Sequence, residues 1–262
     1  MTDPTDRRFA TTLARGLSIL QAFRPTDAGL GNQEISARTG LPKPTVSRLT
    51  YTLCALGYLT HGKKHDKYWL GPAALTLGQI AAASFSFVDS AAPIMQRLAD
   101  ETETLIGIAI ADGDRMMLAK TWRPVGSASI WLEVGYRLPM LGSSSGKAYL
   151  AALDNTKFER LSAQLAEQED ATPEELDQQR RAAQSDLESA GFTGLDGPEH
   201  FSGKINAVAL PYHPHNFGAP VVFLSGASSA TLSAERMYAT VGPALARAVA
   251  SLRRLEQPEQ SA

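Results

Sequence analysis

One cysteine, Cys54, is all that the 262 residues contain, so an internal disulfide framework is excluded and a reducing cytoplasm is the expected setting. Long apolar runs are also lacking. The aliphatic stretches are broken by Gly, Ser or charge well before the ~18 residues that a membrane span needs. The chain starts with Met1-Thr2-Asp3-Pro4 and has no apolar leader, which argues against a secretory signal. There is no internal repeat and no low-complexity tract. The hydrophobic content of 44% is that of a globular chain.

A positive excess is missing too: the net charge is −2. Its distribution is uneven, however. Residues 1–80 hold ten Lys+Arg and five Asp+Glu, a net of +5, which leaves 15 and 22, a net of −7, for residues 81–262. One segment suited to phosphates and one that is not is the pattern of a nucleic-acid reader with a second domain.

In the basic segment, Leu13, Leu17, Leu20 and Phe23 form one stripe of a helix that Pro25 ends. Asn32 is the expected cap of a short second helix, 33–39, whose Ile35 points inward. Gly40 supplies the left-handed turn. A third helix runs from Leu41-Pro42-Lys43-Pro44 to about Leu56, with Val46, Leu49, Leu53 and Leu56 inward. Lys43, Thr45, Ser47, Arg48, Tyr51 and Thr52 are left on its outer surface. Short helix, glycine turn and basic, hydroxyl-rich second helix make a helix-turn-helix. Residues 57–60 and 67–70 read as short strands joined by a loop carrying Lys63 and Lys64, with Lys67 at its exit. That is a basic wing whose cations would meet backbone phosphates. The alternative is a three-helix domain whose Lys and Arg are simply solvated.

The fold class is therefore α+β: a winged helix-turn-helix over 1–71, a helix over 72–84 that reads as a linker or as an ordinary amphipathic helix packed on its own domain, and a larger domain over 85–262 that is expected to bind an effector. In the last, strands are expected at 105–111, 115–120, 127–134, 205–212 and 219–225. Helices are expected at 90–102, 146–153, 156–167, 173–190 and 232–256. Gly142-Ser143-Ser144-Ser145-Gly146 matches the Gly-x-Ser-x-Gly nucleophile elbow, with His200, His213 and His215 as bases and Asp196 as partner. A serine hydrolase using Ser144 would follow. Against it stand the absence of parallel β/α/β order before the motif and of a second oxyanion glycine motif. A Gly/Ser-rich loop entering a helix instead presents unpaired N–H groups and the positive dipole end, which bind an anion. Ala148 stands where a P-loop has its metal-binding hydroxyl, so a small carboxylate fits better than a triphosphate. Trp122 and Trp131 are candidates for a ring-stacking wall or for plain core. A zinc site at His200, His213 and His215 is disfavoured, because the histidines border a Pro/Asn/Gly loop with no cysteine near. No cofactor or metal is expected.

Arg15-Gly16-Leu17-Ser18-Ile19-Leu20, Glu34-Ile35 through Thr39-Gly40-Leu41-Pro42-Lys43, Leu56-Gly57-Tyr58-Leu59 and Tyr68-Trp69-Leu70-Gly71 resemble the isocitrate-lyase-regulator (IclR) family of bacterial transcription regulators. The resemblance extends over nearly the whole chain; Gly31 and Pro44 depart from it where serines are common. It implies a homodimer or dimer of dimers on a palindromic operator of double-stranded DNA, acting as repressor or activator. It implies a linker helix that pairs subunits and a sensor domain with a curved, GAF-like antiparallel sheet. In that sensor Gly142, Ser143 and Ser144 become the carboxylate cradle, and Asp196, Lys204 and Asn206 further pocket residues. Leu224, Ser225 and Gly226 fall where the family carries serines on a strand. Lys204 would add a cation, and Leu224 and Gly226 an apolar, roomier wall, favouring an aromatic or part-apolar carboxylate effector. An HTH protein with a ligand-free dimerisation domain remains the third reading.

Overall fold

A computed structural model describes residues 7–62, 66–83, 85, 87–168, 171–215 and 217–256. The chain divides into two compact units, residues 1–84 and 85–262.

The first unit opens with α1 (Thr11–Gln21). Its stripe faces inward only at the C-terminal half. Ile19 is fully buried and Leu20 and Phe23 pack beside it, whereas Leu13 and Leu17 are exposed. The core that α1 can reach is small: Ile19, Leu30, Ile35, Val46, Leu49, Leu53, Leu59 and Tyr68. Helix α2 (Asn32–Thr39) is capped by Gly31 and not by Asn32. The Glu34 carboxylate reaches back to accept the Gly31 N–H at 2.7 Å, the half of a capping box that needs no side chain on the cap residue. Gly40, at φ +70, donates its N–H to Ser36 O at 2.9 Å and turns the chain into α3 (Lys43–Ala55). Pro44 is tolerated in that first turn, where N–H groups have no helical partner.

Strands β1 (Leu59–His61) and β2 (Tyr68–Leu70) pair antiparallel, Leu59 opposite Leu70. Leu30 joins the edge through two backbone hydrogen bonds with Tyr68, at 3.0 and 2.9 Å. The Trp69 ring lies against Gly29 and Gly62, where a Cβ would approach it to 2.5 and 2.2 Å. Those glycines are the seat of the indole. Helix α4 (Pro72–Ala83) buries no residue within its unit and leaves Leu75, Leu77 and Ile80 exposed.

The second unit is a six-stranded antiparallel sheet with helices on both faces. Its strands are β3 (Leu105–Asp112), β4 (Arg115–Trp122), β5 (Arg137–Pro139), β6 (Thr193–Leu195), β7 (Ile205–Tyr212) and β8 (Val221–Ser228), in the order β5-β4-β3-β8-β7-β6. Alternation sorts side chains between two cores. Ile106, Ile108, Val208, Leu210 and Phe223 face α5 (Phe87–Thr102) and α10 (Gly242–Glu256). Leu105, Ala109, Ala209, Val222 and Leu224 face α6 (Ser144–Ala152), α7 (Asn155–Gln168) and α8 (Pro173–Ala190). A short helix α9 (Ala234–Arg236) leads through a π-helical turn into α10. The strand expected at 127–134 does not form. That segment lies between Gly126 at φ +82 and Gly135 at φ +86 and is irregular; the strand beside β4 is β5 instead.

Candidate functional site

Two surfaces matter. On the first unit, α3 turns Val46, Leu49, Thr50 and Leu53 inward, and Thr50 meets its buried position by donating to Val46 O at 3.0 Å. Leu56, expected inside, lies past the helix end and is exposed. The opposite face leaves Lys43, Ser47, Arg48, Tyr51 and Thr52 exposed and Thr45 half-buried. Tyr51 is 76% exposed, too open for an apolar core role. Thr52 donates to Arg48 O at 3.1 Å.

Lys63 and Lys64 lie outside the described residues. Lys67 is drawn back onto its own unit. Its ammonium lies 3.4 Å from Gly29 O and 3.9 Å from the Glu34 carboxylate, at the start of α2. The helix-turn-helix is braced by Arg38, whose two Nη groups donate to the two Asp27 oxygens at 2.6 and 2.8 Å and to Ala22 O at 2.8 Å. The Arg38 hydrogen bonds hold the Asp27 carboxyl below the usual carboxylate range.

On the second unit, the Gly/Ser loop does enter a helix. Gly142 adopts φ +71 and Ser143 is the N-cap of α6. Its hydroxyl accepts from Gly146 N at 3.1 Å, donates to Pro139 O at 2.6 Å, and touches Ser145 Oγ at 3.2 Å. The Ser143 side chain is thereby occupied within the loop. What the helix still presents is backbone: the N–H groups of Ser144 and Ser145, in the first turn, have no intrahelical acceptor. The second glycine of the motif has a packing cause, since the backbone of Met140 crosses directly over Gly146. Among the described residues no hydrogen bond joins Ser144 to a histidine. His200 pairs with Ser202 Oγ at 2.9 Å, and burial lowers its pKa. His213 borders the opposite end of α6, near Ala152 and Leu153, roughly 12 Å along the helix from Ser144.

The turn 196–203 lies across this loop. Phe201 donates its N–H to Gly142 O at 2.7 Å, and Gly197 lies beside Asn206 Oδ1, 3.6 Å from where a Cβ would stand. Asp196 anchors the turn with its carbonyl, which accepts from His200 N at 2.9 Å; its side chain is half-buried. Asn206 is buried and donates through Nδ2 to Leu232 O at 2.8 Å. That bond fixes the amide's orientation and leaves Oδ1 without a partner among the described residues, an orphan that calls for an explanation. Beside Gly142 a cavity of about 350 Å3 opens between α6, α8 and β6, with Met140, Leu150 and Leu195 as apolar wall and Lys147, Gln179 and Glu199 as polar edge. The Lys147 ammonium sits 2.8 Å from Asp186 and 3.3 Å from Gly194 O.

The other expected pocket residues are not gathered here. Lys204 is exposed. Leu224 is core, packed at Gly107. Gly226 packs closely on the neighbouring strand, where a Cβ would stand 3.1 Å from Ala207 Cβ. Trp122 belongs to the cluster on the sheet face opposite α6. Trp131 is 70% exposed, with Arg123 stacked 3.8 Å over its ring and Glu133 accepting its N–H at 3.0 Å. The cavity walls Leu150, Gln179 and Leu195 were missed. Only the docking of α8 and β6 against α6 brings them together, and no local motif signals it. Among the described residues no group of three or more His, Cys, Asp or Glu is placed to hold a metal ion, and no helix is long and apolar enough to cross a membrane.

Comparison with known proteins agrees with both units. Residues 12–62 match the IclR helix-turn-helix domain, and residues 79–248 match the bacterial transcriptional regulator IclR C-terminal domain. The Pca regulon regulatory protein of Pseudomonas putida is 37% identical over 154 residues, 58% of this chain and 52% of that protein; the chain thus spans about half the length of that relative. The crystal structure of an IclR-family transcriptional regulator from Brucella abortus is 33% identical, with a TM-score of 0.76 over 98% of this chain and 96% of that one. An IclR homologue from Microbacterium hydrocarbonoxydans complexed with 4-hydroxybenzoate shares the fold at 18% identity, with a TM-score of 0.66 over 92% of this chain and 99% of that one. The chain belongs to the IclR family of bacterial transcription regulators, with an N-terminal DNA-binding helix-turn-helix and a C-terminal effector-binding domain.

Proposed function

We propose that this regulator reads a palindromic operator as a homodimer or dimer of dimers and releases or remodels it when a small carboxylate binds the second unit. Residues 1–71 are assigned to DNA, 72–84 to subunit pairing, and 85–262 to the effector, the whole working in the cytoplasm by binding and not by catalysis. The observation that carries the DNA reading is the division of α3. Its inner face is sealed in core, and its outer face offers Lys43, Thr45, Ser47, Arg48, Tyr51 and Thr52. Arg48 is suited to base edges; Lys63 and Lys64 are assigned to phosphates, with Lys67 beside them.

For the effector, the support is the N-terminus of α6. First-turn N–H groups and the helix dipole favour an anion, and Gly142 and Ser143 shape the entry. The adjacent cavity's Met140, Leu150 and Leu195 suit an apolar ring, and a fold relative holds 4-hydroxybenzoate. An aromatic carboxylate is therefore the favoured class. Thermal unfolding against aromatic and aliphatic carboxylates tests this. An effector at 100 times its Kd adds about 2.7 kcal/mol of stability, and the gain is lost when Ser143→Pro removes the cap. No shift with any acid overturns the carboxylate reading. A serine-hydrolase reading has no observation to favour it, since Gly146 and Ser143 are accounted for by packing and capping.

A further inference from the structure

Away from the N-terminus of α6, a cavity of about 430 Å3 lies between α7 and α8, lined by Asn155, Phe158, Glu159, Ala163, Asp177 and Arg180, among others. Its volume is that of a small-molecule site. Arg180 is only 9% exposed. Among the described residues its hydrogen bonds run from one Nη to Asn155 Oδ1 at 3.1 Å and from the other to Leu153 O at 2.6 Å, and its Nε has no partner. A guanidinium carries five N–H donors; the Nε donor is enclosed by protein, and one hydrogen on each Nη is left for a ligand. Stacking over the Phe158 ring, 4.4 Å away, positions the group but uses none of those in-plane donors. The C-terminal end of α6 offsets part of the charge without accepting the remaining N–H groups. Asp154 acts on Arg180 through space but accepts none of its N–H groups among the described residues, and the shape that satisfies the remaining Nη fork is a carboxylate.

The rim adds a second requirement. Glu159 and Asp177, the latter 2.5 Å from Arg181, border the same cavity, so a plain anion would meet Glu159 and a second carboxylate that Arg181 only partly offsets. We propose that this cavity binds a small zwitterion, an α-amino acid or close analogue. Its carboxylate would lie on Arg180 and its ammonium toward Asp177 and Glu159. This is a second ligand site, independent of the one at α6.

Calorimetric titration of the full chain with a panel of α-amino acids, their deaminated carboxylates and the matching amines tests it. One amino acid should bind, with both single-charge counterparts weaker by about tenfold or more. Ala163→Phe fills the cavity from an exposed helical position. It should abolish that binding while leaving the circular dichroism spectrum and the stabilisation by effector carboxylates intact. Arg180→Gln should abolish it as well, though it also removes the clamp on α6, which is why Ala163→Phe is the deciding variant. Three results overturn the proposal: no amino acid binds, the bound one is indifferent to Ala163→Phe, or a deaminated acid binds the same cavity equally well.

Discussion

The carbonyl oxygen of Met140 lies 1.8 Å from where a Cβ on Gly146 would be built. The chain leaving β5 thus crosses the first turn of α6 backbone to backbone. Gly146→Ala must push these segments apart, at a cost of about 1–3 kcal/mol. Urea unfolding of the second unit should show its midpoint lowered accordingly. An unchanged midpoint would mean that the crossing is looser than described and would reopen a catalytic reason for the glycine pair.

That contact also marks what a sequence can and cannot tell. The α2-Gly40-α3 unit was legible because each step has a local cause: inward Ile35, a left-handed glycine, and tolerated prolines. The α8 bounds, 173–190, agree with Pro173–Ala190 because Thr172 and Glu175 form a capping box and Gly191 ends the helix at φ +80. The strand expected at 127–134 failed since apolar alternation there is overridden by the two flanking glycines. The left-handed turn at Gly142 and the cap at Ser143 were legible, since each is local, and the placement of Trp122 and Trp131 was not. Which sheet face a tryptophan joins is decided by register with distant strands, and a β-bulge between Ile108 and Ala109 already shifts that register.

The Asp27–Arg38 pair gives an acid-sensitive brace. The Asp27 carboxyl is held below its ordinary value in the folded state, so its contribution is complete at neutral pH and is lost as pH falls through the folded pKa. Between about pH 6 and pH 3, wild-type stability should fall more steeply than that of Asp27→Asn. Because the pair is near the surface, the difference at neutral pH should be about 1 kcal/mol or less. Parallel pH profiles would remove the pair from the account.

On the α3 reading, Arg48→Ala should cost about 1–3 kcal/mol on a specific site and relax preference at one base position. Lys63→Ala with Lys64→Ala should weaken all sequences alike and lower the salt slope by about 2. Anisotropy titrations at several salt concentrations separate the two. A double lysine variant with the wild-type slope would remove the wing from the phosphate contacts.

Helix α4 buries nothing in its own unit while exposing Leu75, Leu77 and Ile80. If a second subunit covers it, Leu77→Glu with Ile80→Glu should shift sedimentation toward monomer and weaken operator binding, since two half-sites no longer act together. Unchanged sedimentation would place subunit pairing elsewhere.

The central claim is that one chain couples DNA binding to a small acid. The direct measurement is the affinity of the purified protein for DNA fragments it enriches from a random pool, with and without the carboxylate that most raises its unfolding temperature. Linkage requires that an acid binding the two states unequally change DNA affinity, and that DNA change acid affinity by the same factor. The account predicts a reciprocal change of about fivefold or more, lost in a Ser143→Pro variant that still binds DNA. An acid that stabilises the protein yet leaves DNA affinity untouched, or a pool in which no sequence is enriched, would contradict it.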